Sequence, residues 1–131
     1  MICLLWATVG FVRGVGAGTA TATAARSIDF NRDIRPILAE NCLACHGPDK
    51  SKRKAGLRLD LKADATARLE SGKQAVVPGN PASSHLLQVI ASTNPDEQMP
   101  PKKTGKRLGP EQIELLRDWI AQGAEFKPHW S

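Results

Sequence analysis

Apolar residues near position 30 recur at the spacing of an α-helix. The run begins at Phe30, follows the i, i+4, i+7, i+8 pattern to Leu38, and predicts one apolar helical face that leads into Cys42. Proline is tolerated only in the first turn of a helix. Pro36 therefore requires the helix proper to begin just upstream, with Asp33 as its N-cap.

A second helical pattern lies near the C-terminal end and has clear boundaries. Pro110 suits the first helical position, and Gly123 suits the position just after the last turn. The apolar face between them consists of Ile113, Leu116, Trp119 and Ile120.

The middle of the chain has weaker patterns. Leucines alternate with polar residues over 57–61, which fits a short strand paired with residues 75–77 and fits a single extended segment equally well. Residues 63–70 have a helix-favouring composition, and a further short helix is expected after a cap at Ser83 or Ser84. The apolar positions of this short helix are Leu86, Leu87 and Ile90.

The first 25 residues differ in composition from the rest. An apolar run over 2–12 precedes the tract GVGAGTATATAA, which offers Ala-x-Ala cleavage options near residues 22–25. We expect residues 1–25 to be a secretory signal that directs the chain to the periplasm or cell envelope of a bacterium. The run is too short to span a bilayer, so no stable membrane insertion is expected after cleavage. No Lys or Arg precedes the run and Arg13 ends it, so an ordinary disordered N-terminus is the alternative.

The remaining residues, 26–131, are expected to form one domain that is hard to stabilise unaided. The whole chain has 131 residues, an aromatic content of only 5% and no tyrosine. A small core this poor in large side chains needs a further source of stability. The net charge of +5 falls to +3 or +4 if cleavage removes Arg13, with or without Arg26. Such mild basicity gives no indication of a nucleic-acid partner.

Residues 42–46 have the C-x-x-C-H pattern of covalent attachment to a c-type haem. Two sulfurs three positions apart on a helical turn lie on one face, where each can add to a haem vinyl group. The adjacent histidine can turn its imidazole onto the iron as the proximal ligand. We therefore expect one covalently attached haem c, held by Cys42, Cys45 and His46.

Three other interpretations leave part of this pattern unused. A structural zinc site needs four ligands, and the histidines outside the motif, His85 and His129, are isolated. A thioredoxin-like redox pair needs a preceding strand, whereas the segment FNRDIRPILAENC is helix-like. A plain disulfide, normal for two thiols in an exported protein, gives His46 no role.

The chain resembles the planctomycete-type cytochrome c domain over about four fifths of its length. The matching segments, in order, are IRPILAENCLACHGP, GLRLD, VVPGNPASS, MPP and LRDWIAQGA. The resemblance implies a haem c domain with Cys42 and Cys45 as attachment points, His46 as proximal ligand and Met99 as distal ligand. In that family much larger domains usually follow the cytochrome segment, whereas this chain stops at Ser131. It is therefore either a free-standing version or the front of a longer protein with fused C-terminal domains.

The predicted fold is all-α. We expect a small class I cytochrome c-like domain of about three to five helices around one covalent haem, with long irregular loops. Terminal helices that pack against each other around the haem would supply the core that the sequence otherwise lacks.

Met99 is the residue best suited to the second axial position of the iron. It lies in the stretch DEQMPPKK, where Pro100 biases its backbone toward an extended conformation and Pro101 stiffens the next step. His85 is expected on the polar face of a short helix and His129 near a chain end that is liable to fray. A methionine that only anchors the loop onto the core is the alternative.

Ligation by His and Met favours electron transfer over catalysis, because both axial sites are occupied and the thioether raises the reduction potential. A peroxidase-like or gas-sensing haem domain is the alternative if Met99 is displaceable. Two basic loops start at the expected ligands, and they fit either an acidic redox partner or solvated loops that offset the haem propionates. Their residues are Lys50, Lys52, Arg53 and Lys54, then Lys102, Lys103, Lys106 and Arg107.

Overall fold

The computed structural model of the protein describes residues 26–128, so the expected signal segment 1–25 and His129 lie outside the described residues. Within residues 26–128 the chain is helical and forms no strand, which confirms the predicted all-α class. None of these helices is long and apolar enough to cross a bilayer. The α-helices are α1 (Arg35–Asn41), α2 (Lys62–Ala65), α3 (His85–Ala91) and α4 (Pro110–Ala121). Shorter helical turns are Phe30–Ile34, Pro81–Ser83 and Lys102–Thr104.

The first helical segment begins earlier than the sequence predicts. A π-helical turn, Phe30–Ile34, precedes α1, and a carboxylate oxygen of Asp29 caps it by accepting from the N–H of Arg32 at 2.9 Å. The prediction of Asp33 as the N-cap is therefore wrong. Pro36 lies in the first turn of α1, where its missing N–H is not needed.

Three aromatic side chains join the two ends of the domain. The ring centroid of Phe30 lies 5.7 Å from that of Trp119 and 4.8 Å from that of Phe126, and the last two rings are 5.0 Å apart. Tilted and edge-on contacts at these distances are favourable. The N-terminal helical segment therefore packs against α4, as predicted. Buried residues that continue the core are Ile37, Leu38, Leu86, Leu87, Ile90, Leu116 and Ile120.

The leucine-rich segment 57–61 does not pair with residues 75–77. The backbone of 75–77 is bonded elsewhere, since the N–H of Val76 donates to the carbonyl of Ala65 in α2 at 3.0 Å. Of the two alternatives that the sequence leaves open, the strand pairing is therefore wrong, and segment 57–61 forms no strand.

Asp33 forms a compact ion cluster with two arginines. Its carboxylate accepts from Arg26 at 2.7 Å, from Arg32 at 2.7 and 3.0 Å, and from the backbone N–H of Asp29 at 2.9 Å. The hydrogen bonds from Arg32 are the main cause that lowers the pKa of Asp33 from 3.8 to about 2, and burial opposes this shift. Because both arginine side chains are mostly exposed, solvent and salt weaken the attraction.

Protonation of Asp33 should destabilise the fold in acid. A carboxylate whose pKa is lower in the folded state stabilises the fold above its unfolded pKa, and this contribution is lost as the pH falls through about 2. We expect Asp33→Asn to lower the free energy of unfolding at neutral pH by about 1–2 kcal/mol and to flatten its decline between about pH 5 and pH 2. Urea denaturation across this range measures both effects. Asp118→Asn, the same change at an exposed residue that forms no ion pair within residues 26–128, is the control, and equal pH profiles for the two variants would contradict the prediction.

Candidate functional site

The cysteine motif continues α1 as a helical turn. The N–H of Cys42 donates to the carbonyl of Leu38 at 2.8 Å, and those of Cys45 and His46 donate to the carbonyl of Cys42 at 3.1 and 2.8 Å. This turn brings the two cysteines and the histidine to the wall of one cavity.

The cavity has a volume of about 380 Å³ and a mostly apolar lining. Met99 lines it together with Cys42, Cys45 and His46, so the structure brings together all four candidate residues from the sequence. The volume lies in the usual range of ligand-binding pockets. In the part of the chain that the structure describes, no Asp or Glu lines this cavity. The apolar lining comprises Ala44, Leu57, Leu59, Leu69, Ala75, Leu86, Val89, Ile90, Pro100 and Pro101.

The imidazole of His46 has a buried nitrogen without a partner within residues 26–128. Its Nδ1 atom is buried and finds no hydrogen-bond partner among the described residues, which is unusual for a buried polar atom. Burial lowers the pKa of His46. Polar backbone groups of Lys54 and Leu57 oppose this shift, because they favour the charged imidazole. The main chain at His46 is held in place, since the His46 carbonyl accepts from the N–H of Leu59 at 2.8 Å. A neutral imidazole held at a cavity wall is able to coordinate a metal.

Both cysteines of the motif are free thiols. Burial raises the pKa of Cys42 to about 11, with the positive charge of Lys106 opposing the shift, so this thiol is protonated at neutral pH. Cys45 is exposed. Within residues 26–128, no group of three or more His, Cys, Asp and Glu side chains is placed to hold a metal ion, so the zinc interpretation finds no support there.

Gly47 follows the motif at a position where the backbone approaches itself closely. A Cβ atom there would lie 2.2 Å from the carbonyl oxygen of Leu43. Arg53 stabilises the same bend by donating to the carbonyls of Gly47 at 3.2 Å and Pro48 at 3.0 Å. No pattern in the sequence predicts this requirement, because the contact depends on how the chain bends after His46.

Met99 reaches the cavity from the loop that follows α3. Its N–H donates to the carbonyl of Val89 at 3.0 Å, which fastens the loop to that helix. The peptide bond to Pro100 is cis, and Pro100 is buried. The Met99 residue is 37% exposed, which does not fit a methionine that only fills the core.

His85, the first residue of α3, also lines the cavity. Its Nδ1 atom lies 3.1 Å from Oε1 of Gln88. The sequence placed His85 on a polar helical face, whereas in the structure it is half-buried at the edge of the cavity.

A small helical domain whose apolar cavity is lined by C-x-x-C-H side chains is typical of c-type cytochromes. Residues 42–103 match the model of a family described as planctomycete cytochrome C, which confirms the resemblance found in the sequence. This match to a cytochrome c family implies haem binding and suggests electron transfer for residues 42–103. No curated protein and no solved structure matches the chain.

Gly47→Ala should destabilise the domain, because the new Cβ atom collides with a backbone carbonyl that the helical turn holds in place. We expect the free energy of unfolding to fall by about 1–3 kcal/mol, as measured by urea denaturation. Gly109→Ala is the matched control, since a Cβ atom at that position meets no atom within 4 Å. Equal stability of the two variants would show that the turn opens freely at Gly47.

Proposed function

We propose that the domain is a mono-haem c-type cytochrome that carries single electrons in an exported protein. The observation that supports this best is that Cys42, Cys45 and His46 line one apolar cavity with Met99, which is more than fifty residues away in the sequence. When bound, the haem supplies one-electron exchange between Fe(III) and Fe(II). The residues 1–25, with their apolar run, support export.

The side chains present fit a covalently attached haem. Each of the two thiols can add across one vinyl double bond, so that a sulfur–carbon bond forms and the thiol proton passes to the other vinyl carbon. This addition is balanced without an oxidant or a reductant. The buried Nδ1 of His46 leaves Nε2 as the nitrogen for the iron. The apolar lining without carboxylates suits the apolar faces of a porphyrin.

Met99 completes the axial pair in this proposal. Its loop is fastened to α3 at Val89 and continues into the buried Pro100, which restricts where the thioether can lie. A thioether stabilises ferrous iron relative to a second imidazole and raises the reduction potential. With both axial positions filled, no position remains for oxygen or peroxide, which favours an electron carrier over an enzyme.

A peroxidase-like or gas-sensing haem domain is the second candidate. The partial exposure of Met99 favours it, because a side chain that solvent reaches is open to displacement by a small ligand. The two candidates differ in whether the iron position that Met99 would occupy opens to other ligands in the wild-type protein.

Met99→Ala should leave the haem attached and open the iron to added ligands. We expect the wild type to show a Met-to-iron absorption band near the red end of the ferric spectrum and no change of the ferrous spectrum with carbon monoxide. The variant should lose the band and bind carbon monoxide, because a methyl group cannot coordinate iron. Gln98→Ala, one position earlier in the same loop, is the matched control and should behave as the wild type.

The same samples test attachment and export. The mass of the mature wild-type protein should show one haem added, both thiols consumed and cleavage near residues 22–25. A wild type that binds carbon monoxide as readily as Met99→Ala would favour the second candidate. A mature protein without haem would contradict both proposed functions.

We also propose that an acidic redox partner docks at the mouth of this cavity. Three lysines line the same cavity: Lys54 belongs to the first basic loop, and Lys103 and Lys106 belong to the second. Both loops therefore place positive charge around the cavity. All three lysines are exposed. Lys52, by contrast, pairs with Asp49 at 3.7 Å. A patch of one charge sign at the exposed haem edge would steer an acidic partner to the position where electrons pass.

The rate of electron transfer to a small acidic redox protein should therefore fall as salt rises. We expect a decline of about tenfold or more between low and physiological ionic strength, and a weaker decline for Lys103→Gln. Stopped-flow measurements of the holoprotein provide both rates. Lys62→Gln on α2 removes the same charge away from the cavity and is the matched control. A rate that does not change with salt rules the docking proposal out.

A further inference from the structure

A second concavity adjoins the cavity and is polar. Its volume is about 480 Å³, and its cationic side chains are Arg68 and Lys73. No Asp or Glu lines it within residues 26–128. His85 lines both the polar groove and the apolar cavity, so the two meet at this residue. The other polar side chains of the groove are Gln74, Asn80, Ser83 and Gln88.

We propose that this polar groove receives the propionate carboxylates of the haem, with His85 at the boundary and Arg68 and Lys73 as the compensating cations. The inference rests on the proposed haem function and adds the orientation of the porphyrin in the cavity. A haem carries two propionates on the edge remote from its vinyl groups. Two carboxylates without partners are too costly to leave in an apolar cavity, so they must reach water or positive charge.

Two of the three cavity lysines, Lys54 and Lys106, lie at the cysteine end, where the vinyl groups must point. The N–H of Lys54 donates to the carbonyl of Cys45 at 2.8 Å. The ammonium group of Lys106 donates to the carbonyl of Glu40, two residues before Cys42. Because the propionates occupy the opposite edge of the porphyrin, they point away from these lysines.

His85 lies on a different wall, which is built from the middle of the chain. Its N–H donates to the carbonyl of Gln74 at 3.0 Å, and the nearby Val76 is bonded to α2. An isolated antiparallel bridge between Arg68 and Gln74 holds the loop with both cations next to His85. A carboxylate that leaves the cavity past His85 therefore enters the groove.

The two cations keep bonding capacity for such a ligand. Arg68 uses one terminal nitrogen to donate to the carbonyl of Gly72 at 3.0 Å, which leaves its other terminal nitrogen for a carboxylate. Lys73 forms no ion pair with any residue in the described range. Both side chains are exposed, so they can adjust to a bound carboxylate.

Infrared difference spectra of the holoprotein between its oxidised and reduced states test this orientation directly. With ¹³C at the propionate carboxyls, we expect the labelled carboxylate bands to shift in the double variant Arg68→Gln/Lys73→Gln and in His85→Leu. Lys62→Gln, which removes a charge on α2 outside the lining of both concavities, is the control and should leave the bands unchanged. Lys103→Gln, on the lining of the apolar cavity alone, tests the opposite orientation. The double variant should also have a lower reduction potential, because cations beside the propionates stabilise the added electron.

Mass spectrometry distinguishes a failure of the proposed function from a failure of this inference alone. If the wild type carries no covalent haem, the proposed function and this inference fall together. If the haem is attached but the labelled bands respond to Lys103→Gln and ignore the groove variants, only the orientation is wrong. The two groove cations are exposed, so their substitution tests the proposal even if His85→Leu does not fold.

Discussion

The packing of Phe30 against Trp119 and Phe126 determines where the rest of the domain lies. It joins the start of the first helical segment to α4 and to the segment after it. Helix α1 then runs from this contact into the turn that carries Cys42. Because a helix is stiff, an aromatic contact that fixes one end also fixes the direction of the other. The cysteine motif is thus positioned by side chains a full helix away from it.

This use of the aromatic residues also explains the cavity. Every Phe and Trp within residues 26–128 belongs to the terminal cluster, and the chain contains no tyrosine. The centre of the domain is left with leucines and shorter side chains, which do not fill about 380 Å³. Such a volume lies in the usual range of ligand-binding pockets. The apolar lining of the cavity suits a large planar group, and the cytochrome c family match implies that this group is a haem.

The sequence reveals local features of this arrangement better than long-range ones. The spacing of Cys42, Cys45 and His46 and the boundaries of α4 follow from neighbours in the chain, so they were predictable. The choice of Asp29 over Asp33 as helix cap was not, because either acid can cap and the arginines decide between them only in the folded state. The conformation of segment 57–61 and the position of the polar groove were not predictable either. Both depend on which distant backbone groups are already hydrogen-bonded.

Charge is divided between the two ends of the domain in a way that serves a bound haem. Carboxylates cluster at the terminal contact, where Asp29 accepts from Lys127 at 2.6 Å and Asp33 accepts from Arg26 and Arg32. Neither concavity has a carboxylate in its lining among residues 26–128, although the chain contains 13 acidic residues. The lysine and arginine side chains that line the two concavities within residues 26–128 therefore share these linings with no carboxylate. In the proposed haem protein, this lining would favour reduction as well as haem binding, because a ferrous haem carries one more electron than a ferric haem.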